Sequence, residues 1–284
     1  MENQKAVRMG NSFETYKPRL FAVAYKMTKN AMDAEDILHD VFLSFVKQDI
    51  TTIANTEHYL VKAVMHRCLS LLEMRKRFVY PGVDLPTPLY QERFAYVQDQ
   101  DISFALLLLL QKLNPQERAV FILRETLDYS YEEIAEVLSL GQDNCRQLFH
   151  RAKEKVAGGR VKYVPSDEQR STLFSAFVKA CTSGDVDQLM ACLKEDIAIY
   201  SDGGGRATAA RWPVFGRVDA IAFLTGLYAK RSAALLFEAK MINGEYGIIC
   251  YDKTTGAVDT LMICAVGADA IETVYFVRNP DKLR

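Results

Sequence analysis

The feature that most constrains the fold of this chain is the stretch SYEEIAEVLSLGQDNCRQLFHRAKEKVA at residues 130–157. Its spacing predicts a short helix, a turn that contains Gly141, and a second helix with a basic end. Apolar residues recur at helical spacing on one face of each helix, so the pattern indicates a helix-turn-helix. The second helix leaves a polar face of groups that can reach base edges and phosphates. These residues are Gln142, Asn144, Arg146, Gln147, His150, Arg151 and Lys153.

A helix pair with a glycine turn also occurs in many all-helical proteins, and a charged face often does no more than solvate a helix. The distribution of charge favours nucleic acid. Six cations outnumber two acids between residues 142 and 162, whereas five acids accompany one arginine between residues 124 and 136. A basic second helix beside an acidic first helix is typical of a pair that presents its second helix to phosphates.

Composition limits the classes to which the chain can belong. With 284 residues, 49% apolar and 25% charged, it is expected to be globular, with two or three domains. The formal net charge of −1 excludes a polybasic nucleic-acid coat, so DNA affinity must come from local patches or from a larger assembly. The six cysteines form no C-x-x-C pair, which disfavours zinc and indicates a reducing compartment.

The amino-terminal residues MENQKAVRMGNS lack the apolar segment of a secretory leader. The leucine run at residues 106–110 is too short to cross a bilayer. We therefore expect a cytoplasmic protein with no membrane insertion, no metal and no cofactor.

Residues 13–77 show the periodicity of three or four amphipathic helices. One of them is predicted to begin at Asp33 as its N-cap. Another, from Thr56 to Lys76, ends in a basic cluster, which favours the helix dipole whether or not it touches nucleic acid. The prolines and glycine of YPGVDLPTP at residues 80–88 predict a turn or an extended linker. Helix resumes after it, and Asn114-Pro115 predicts a helix start.

Beyond residue 165 the periodicity changes. Two helices are predicted between residues 169 and 193, and a third at 220–228. The segments IAIY, GIICYD, VDTLMICAVG and IETVYFVR are rich in β-branched and aromatic residues, as strands are. This order predicts an α+β domain with several long antiparallel strands. The glycines of DGGGR at residues 202–206 predict a tight hairpin after the first strand.

The first half of the chain resembles extracytoplasmic-function sigma factors of the sigma-70 family. The resemblance is carried by DAEDILHDVFLSF at residues 33–45, which is similar to the polymerase-binding helix of sigma domain 2, and by LNPQERAVFILRETLDYSYEEIAEVLSLGQDNCRQLFHRAKEKV at 113–156, which is similar to sigma domain 4. The second half resembles a SnoaL-like domain, the cone-shaped α+β fold of polyketide cyclases and ketosteroid isomerases. DGGGR and the terminal NPDKL at 279–283 resemble signatures of the sigma-factor subgroup with such an extension, although LPTP at 85–88 departs from its WLPEP-like linker.

The resemblance implies a multidomain fold, with two all-α sigma domains, the second a helix-turn-helix, followed by an α+β SnoaL-like cone domain. The implied divisions are sigma domain 2 at residues 10–80, a linker at 81–102, sigma domain 4 at 103–163 and a SnoaL-like regulatory domain at 167–284.

The function implied is that of a sigma factor, without catalysis of its own, that directs RNA polymerase to specific promoters. Its partners would be core RNA polymerase, through the clamp helices of the beta-prime subunit, and promoter DNA. The near-neutral net charge and the two unlike halves of the chain favour a monomer in the free state. The implied polymerase-binding residues are Asp33, Glu35, Asp36, Leu38, Asp40 and Phe42. The residues implied to face the minus-10 element are His66, Arg67, Ser70, Arg75, Lys76 and Arg77. The polar face of the second helix, from Gln142 to Lys153, would read the minus-35 element.

The resemblance also suggests that the cone domain regulates activity in cis through an intramolecular contact with the sigma domains. Its expected regulatory interface consists of Asp202, Gly203, Gly204, Gly205, Arg206, Asn279, Pro280, Asp281, Lys282 and Leu283.

Two alternatives remain open on the sequence. The cone domain could keep an enzymatic or ligand-binding role, but all four histidines precede residue 165, which leaves Asp202, Asp252, Asp259 and tyrosines as its acid–base groups. The chain could instead be a helix-turn-helix regulator fused to such a cone. That regulator would bind DNA tightly by itself, whereas a sigma factor would bind poorly without core polymerase.

Overall fold

The computed structural model divides into two compact units. The helical unit comprises residues 1–79, 94–102 and 106–160, and the cone unit comprises residues 80–93, 103–105 and 161–284. The predicted fold class, two all-α modules followed by an α+β domain, is confirmed. The structure describes residues 2–48, 53–76, 82–97, 102–157 and 166–283.

The helical unit is built on long amphipathic helices. Phe21, Tyr25 and Phe45 are fully buried in its core. Its main helices are α1 (Glu2–Thr28), α2 (Ala31–Val46), α3 (Thr56–Arg75), α6 (Pro115–Thr126), α7 (Tyr131–Leu138) and α8 (Gln142–Ala157). Three short elements lie between α3 and α6 in the chain: α4 (Gln91–Phe94), a 3₁₀ turn at Ala95–Val97 and α5 (Phe104–Leu110).

Helix starts follow local capping chemistry. The predicted start at Asn114-Pro115 is confirmed, because the Asn114 side chain accepts the Glu117 N–H while the Glu117 carboxylate accepts the Asn114 N–H, and the proline occupies the first helical turn. The prediction that Asp33 caps α2 is wrong. Asn30 is the N-cap, and its side chain accepts the Asp33 N–H. An asparagine and an aspartate three residues apart are both good caps, and the sequence pattern does not separate them.

The helix-turn-helix is present as predicted, with α7 and α8 joined at residues 139–141. The left-handed residue of its turn is Ser139, at φ 54°, and not Gly141. Ser139 caps the C-terminus of α7 by donating its N–H to Ala135 O.

The cone unit begins with two helices and continues as a mixed sheet. The elements are α9 (Asp167–Ser183), α10 (Val186–Cys192), β1 (Leu193–Asp202), β2 (Val214–Phe215), α11 (Arg217–Arg231), β3 (Leu235–Ile242), β4 (Glu245–Asp252), β5 (Val258–Val266) and β6 (Ile271–Val277). The sheet order is β2-β1-β6-β5-β4-β3. The predicted long antiparallel strands are present from β3 to β6, and β1 adds to β6 in parallel, a pairing that the sequence does not predict.

Both faces of the central strands are buried. One face packs with α9, α10 and α11 in a core that includes Phe177, Ile197 and Val274. Alternate residues such as Leu261 and Ile263 point away from that core and are also buried. Within the cone unit, linker residues 85–89 are buried, and the Phe104 ring lies 5.3 Å from the Tyr275 ring.

The DGGGR segment does not form the predicted tight hairpin. β1 ends at Asp202, and its antiparallel partner β2 begins only at Val214. Gly204 has a φ of 60°, and a Cβ on it would lie 2.3 Å from the Asn279 side chain. The glycine is therefore required by the close approach of the C-terminal segment as well as by the backbone conformation.

Candidate nucleic-acid and partner interface

Helix α8 presents the polar face that the sequence predicts. Its apolar residues Cys145, Leu148 and Ala152 are buried, which turns the opposite face outward. All seven residues of the predicted base-reading set are exposed on that face: Gln142, Asn144, Arg146, Gln147, His150, Arg151 and Lys153.

The contacts of this face are short-range and weak. Arg146 pairs with Asp143 one turn away, at 2.6 Å, and lies over the Tyr131 ring. Lys153 lies 3.6 Å from the Glu125 carboxylate. Exposed ion pairs of this kind contribute about 0–1 kcal/mol, so the cations can exchange these partners for phosphates or bases at small cost.

The C-terminal end of α8 is held by a stronger contact. Lys155 Nζ donates to both carboxylate oxygens of Glu117, at 2.8 and 2.7 Å, and the Glu117 side chain is almost fully buried. Burial opposes ionisation, but the hydrogen bond from Lys155 and the backbone N–H of Asn114 hold the pKa of Glu117 below its usual range. This ion pair links α8 to the capping box of α6.

Helix α2 carries the acids that the sequence assigns to a protein partner. Glu35, Asp36 and Asp40 are exposed, and Phe42 is half-buried with its ring 5.1 Å from that of Phe13. Leu38 is only 4% exposed and lies in the wall of a groove of about 500 Å³ beside α1. It is therefore less accessible than the polymerase contact implied by the family resemblance would require. Sequence reasoning also missed two exposed apolar side chains on this helix, Met32 and Leu43.

Helix α3 carries the predicted minus-10 residues. His66, Arg67, Arg75 and Lys76 are exposed, and Ser70 lines a groove with the N-terminus of α6. Arg77, also predicted for this set, lies outside the described residues.

The structure pairs the acids of α2 with the cations of α3. Arg75 forms a two-pronged contact with the Asp33 carboxylate, in which Nη2 donates to Oδ1 at 2.8 Å and Nη1 donates to Oδ2. Arg67 donates to Asp40 at 3.3 Å. Two sets of residues that the sequence assigns to different partners therefore neutralise each other.

Helix α3 also contacts the helix-turn-helix. His66 Nε2 lies 2.9 Å from the carbonyl oxygen of Val137 in α7, which makes it a donor in this contact. The His58 ring stacks on the Tyr129 ring at 5.5 Å, just before α7. The two helical modules thus form one packed unit.

In the cone unit, the DGGGR loop and the C-terminal segment meet at the linker. The Lys282 ammonium, which is buried, donates to Asp202 Oδ2 at 2.7 Å, to Asp84 and to the carbonyl oxygen of Leu85. Asp202 also accepts the Leu85 N–H at 3.1 Å and the Gly204 N–H at 2.9 Å. All three protons of the ammonium have acceptors, which is what a buried lysine requires.

The rest of the predicted regulatory set surrounds this site. Arg206 pairs with Asp281 at 2.9 Å on the surface, and the Asn279 side chain accepts the Asp281 N–H. Gly203 is buried and Gly205 is exposed, while Pro280 and Leu283 are half-buried.

A second contact to the linker could not be predicted from the sequence. Asn243, in the hairpin between β3 and β4, accepts the Leu89 N–H at 2.7 Å and donates its own N–H to Leu89 O at 2.8 Å. The dipeptide Asn243-Gly244, with both φ angles positive, signals a hairpin turn in the sequence. Nothing in the sequence signals that the same asparagine binds the linker.

Within the described ranges, no helix combines the length and the apolar content needed to cross a membrane. In the same ranges, no cluster of three or more His, Cys, Asp or Glu residues is arranged to hold a metal ion.

Comparisons with known proteins match this geometry. The family model for sigma-70 region 2 matches residues 12–78, and the model for sigma-70 region 4 matches residues 103–156. The chain is 29% identical to the ECF RNA polymerase sigma factor SigJ of Mycobacterium tuberculosis over 96% of this chain and 92% of that protein. It is 26% identical to the probable ECF RNA polymerase sigma factor SigI of the same species, over 66% of this chain and 67% of that protein.

One solved structure is similar to this chain along nearly its whole length. The crystal structure of the extracytoplasmic-function sigma factor SigJ of Mycobacterium tuberculosis matches with a TM-score of 0.78 and 27% identity, and covers 96% of this chain and 97% of that chain.

Proposed function

The chain is an extracytoplasmic-function sigma factor of the sigma-70 family that acts in transcription initiation, and from that premise we propose a binding or regulatory role for each of its regions. Region 2 binds core polymerase through α2 and the minus-10 element through α3. Region 4 reads the minus-35 element through α8. The cone unit regulates both in cis by holding the linker.

The observation that carries this proposal is the contact between α3 and α7. Elements centred 35 and 10 base pairs upstream of a start site are about 25 base pairs apart, or roughly 85 Å along B-DNA at about 3.4 Å per base pair. Helices that touch through His66 and Val137 cannot reach both elements. The free chain is therefore a closed form, and the two helical modules separate when they bind a promoter.

The ion pairs between α2 and α3 support a step in which polymerase takes part in this opening. Asp33 and Asp40 pair with Arg75 and Arg67 in the free chain. A basic surface on the clamp helices of the beta-prime subunit would take over the two acids and release the arginines. The freed cations would then face the melted minus-10 strand, where positive charge along a backbone provides affinity.

For the minus-35 element we propose major-groove readout by the amino-terminal half of α8. Asn144 and Gln147 suit adenine, and Arg146 suits guanine. One good bidentate contact is worth roughly 1 to 3 kcal/mol of discrimination.

The cone unit is proposed to act on the linker, and the buried Lys282 contact with Asp202, Asp84 and Leu85 supports this. A linker bound along residues 84–89 has less freedom to let the two helical modules move apart. Deleting residues 279–284 should therefore change promoter-directed transcription in a chain that still folds.

We also propose, from the family, that the chain performs no catalysis of its own and acts in the cytoplasm where core polymerase is found. Its near-neutral net charge and two unlike halves favour a monomer when free. Weak binding to DNA without polymerase is expected, because the chain has a formal net charge of −1.

In vitro transcription with the full chain and core polymerase tests this function. Asn144→Ala or Arg146→Ala should lower open-complex formation about tenfold or more, as expected for a lost base contact. The matched control is Glu132→Ala, which changes an exposed residue of the same helix-turn-helix on its acidic helix. If the chain binds a duplex tightly by itself and does not associate with core polymerase, it is a conventional helix-turn-helix regulator instead.

A further inference from the structure

The cone unit contains two neighbouring cavities, both lined by α11 and the sheet. The larger is a cleft of about 620 Å³, called the mouth below, whose lining includes Ser201, Ala210, Gly226 and Lys230. The smaller, called the inner chamber below, has a volume of about 60 Å³ and apolar side chains over most of its wall. The side chains that line both cavities are Leu227, Arg231 and Phe276. A cationic cleft and an apolar chamber therefore lie side by side.

Positive charge is in excess at the mouth. Arg231 donates to Asp259 at 2.7 Å, and an Arg278 nitrogen lies 3.6 Å from the same carboxylate oxygen. Lys230 adds a third cation to the lining, which contains no carboxylate. Asp252 also lies near Arg231, but its carboxylate already accepts N–H groups of the following turn.

The two guanidinium groups are held partly out of water. Burial, and next the neighbouring Arg231, lower the pKa of Arg278. One carboxylate between two arginines leaves a net positive charge, and an anion bound there would be stabilised.

Gly226 gives an independent sign of an open site. It lies inside α11, where a glycine weakens a helix relative to alanine, and its φ is not positive. No atom lies within 4 Å of a Cβ built on it, so close packing does not require the glycine either. It lines the cleft, and its effect there is to keep space free.

We propose that this cavity binds a small amphipathic carboxylate. The carboxylate lies at Arg278, Arg231 and Lys230, and the hydrocarbon part passes Leu227 and Phe276. The inner chamber admits only the tip of the ligand, because it is smaller than the roughly 150 Å³ cavity that holds a benzene ring.

The site lies next to the residues that hold the linker. Ser201 of the cleft precedes Asp202, and Arg278 of the cleft precedes Asn279. The backbone also connects the two strands here, since the Arg278 N–H donates to Asp202 O at 2.7 Å. Asp202, which accepts the Leu85 N–H, is thus next to Ser201 of the cleft in sequence and hydrogen-bonded to Arg278 of the cleft. The binding proposal itself does not depend on the proposed function.

Calorimetric titration of the full chain with decanoate, kept below its micellar concentration, tests the proposal. Saturable one-to-one binding is expected. Decanol, which lacks the charge, and acetate, which lacks the chain, should each bind at least about tenfold more weakly, because a hydrogen bond to a charged group and a buried hydrocarbon chain are each worth that much. No binding of decanoate, or equal binding of decanol, would overturn the proposal.

Two pairs of variants locate the site. Gly226→Leu fills the cleft and should abolish binding, whereas Ala229→Leu, an exposed position on the same helix outside the lining, should not change it. Lys230→Gln should weaken binding several-fold, and Lys179→Gln, an exposed lysine on α9, should not. Thermal melting followed by circular dichroism checks that the variants fold. If Gly226→Leu does not fold, the Lys230→Gln variant, which changes an exposed residue, still tests the site. Unchanged affinity in a folded Gly226→Leu or Lys230→Gln variant contradicts the assignment.

Discussion

The helical unit and the cone unit hold their functional charges in opposite ways. In the helical unit, Arg75 pairs with Asp33 and Arg67 pairs with Asp40 at positions where the arginines are about half exposed. In the cone unit, Lys282 and Asp202 are 7% and 1% exposed. Surface pairs are worth about 0–1 kcal/mol, whereas removing one partner of a buried pair costs about 3–5 kcal/mol. The helical unit can exchange partners at small cost, and the cone unit holds the linker firmly.

The largest effect predicted from this contrast is that of Lys282→Ala. It leaves Asp202 buried without its cation, and should destabilise the bound linker by about 3–5 kcal/mol. Hydrogen exchange at the Leu85 amide, which donates to Asp202, measures it. Arg206→Ala is the matched control, since it breaks an exposed pair with Asp281 and should cost less than about 1 kcal/mol. Equal effects of the two substitutions would remove the contrast between buried and exposed pairs.

A smaller effect on stability is predicted when one glutamate in each unit is replaced by glutamine. Glu117 lies in the capping box of α6 and binds Lys155, so Glu117→Gln should cost the helical unit about 1–3 kcal/mol at pH 7. Glu245 pairs with Arg170 at 2.7 Å, but burial outweighs that arginine and raises the pKa of Glu245. Glu245→Gln should therefore change the stability of the cone unit by less than about 1 kcal/mol. Denaturant unfolding of the two variants measures both effects.

The two glutamates, Glu117 and Glu245, should respond to acid in opposite ways. The pKa of Glu117 is lowered on folding, so its contribution is complete above the ordinary value of 4.5 and is lost as pH falls through the folded value. The pKa of Glu245 is raised, so protonation as pH falls through its folded value relieves a cost. Hydrogen exchange from pH 7 to about pH 4 should show α6 and α8 losing protection before β4. Protection lost first from β4 would contradict this order.

The smallest effect on stability is expected for Arg75→Ala. Arg75 is 48% exposed, although Asp33 is only 12% exposed, so water can replace the lost guanidinium group and the free energy of unfolding should fall by about 1 kcal/mol. Open-complex formation should nevertheless fall severalfold, because the freed arginine is proposed to contact the minus-10 strand. Lys179→Ala in the cone unit controls for the loss of a surface cation. A large loss of stability would show that this pair is structural and not exchangeable.

Local chemistry accounts for what the sequence could predict. The capping box at Asn114, the buried face of α8 and the extended linker all follow from residues a few positions apart. Contacts between distant residues could not be predicted in this way. Asp33 and Arg75 are 42 positions apart and Lys282 and Asp202 are 80 apart, and no periodicity connects them.

Two features of the sheet could not be predicted from the sequence, each for a physical reason. β3, at Leu235–Ile242, was not predicted because it is an edge strand whose exposed residues do not alternate with buried ones. The parallel pairing of β1 with β6 joins strands from opposite ends of the domain, and strand composition does not encode direction.

The most direct test of the account measures the distance between α3 and α8. Fluorescent labels at Met74→Cys and Glu154→Cys, both exposed positions, report it by energy transfer, and the unsubstituted chain controls for labelling of the native cysteines. Five native cysteines, Cys68, Cys145, Cys192, Cys250 and Cys264, are buried with raised pKa values, so the introduced thiols should react first. We expect a short distance between the labels in the free chain and a distance greater by tens of ångströms with core polymerase and promoter DNA. An unchanged distance in an active complex would contradict it.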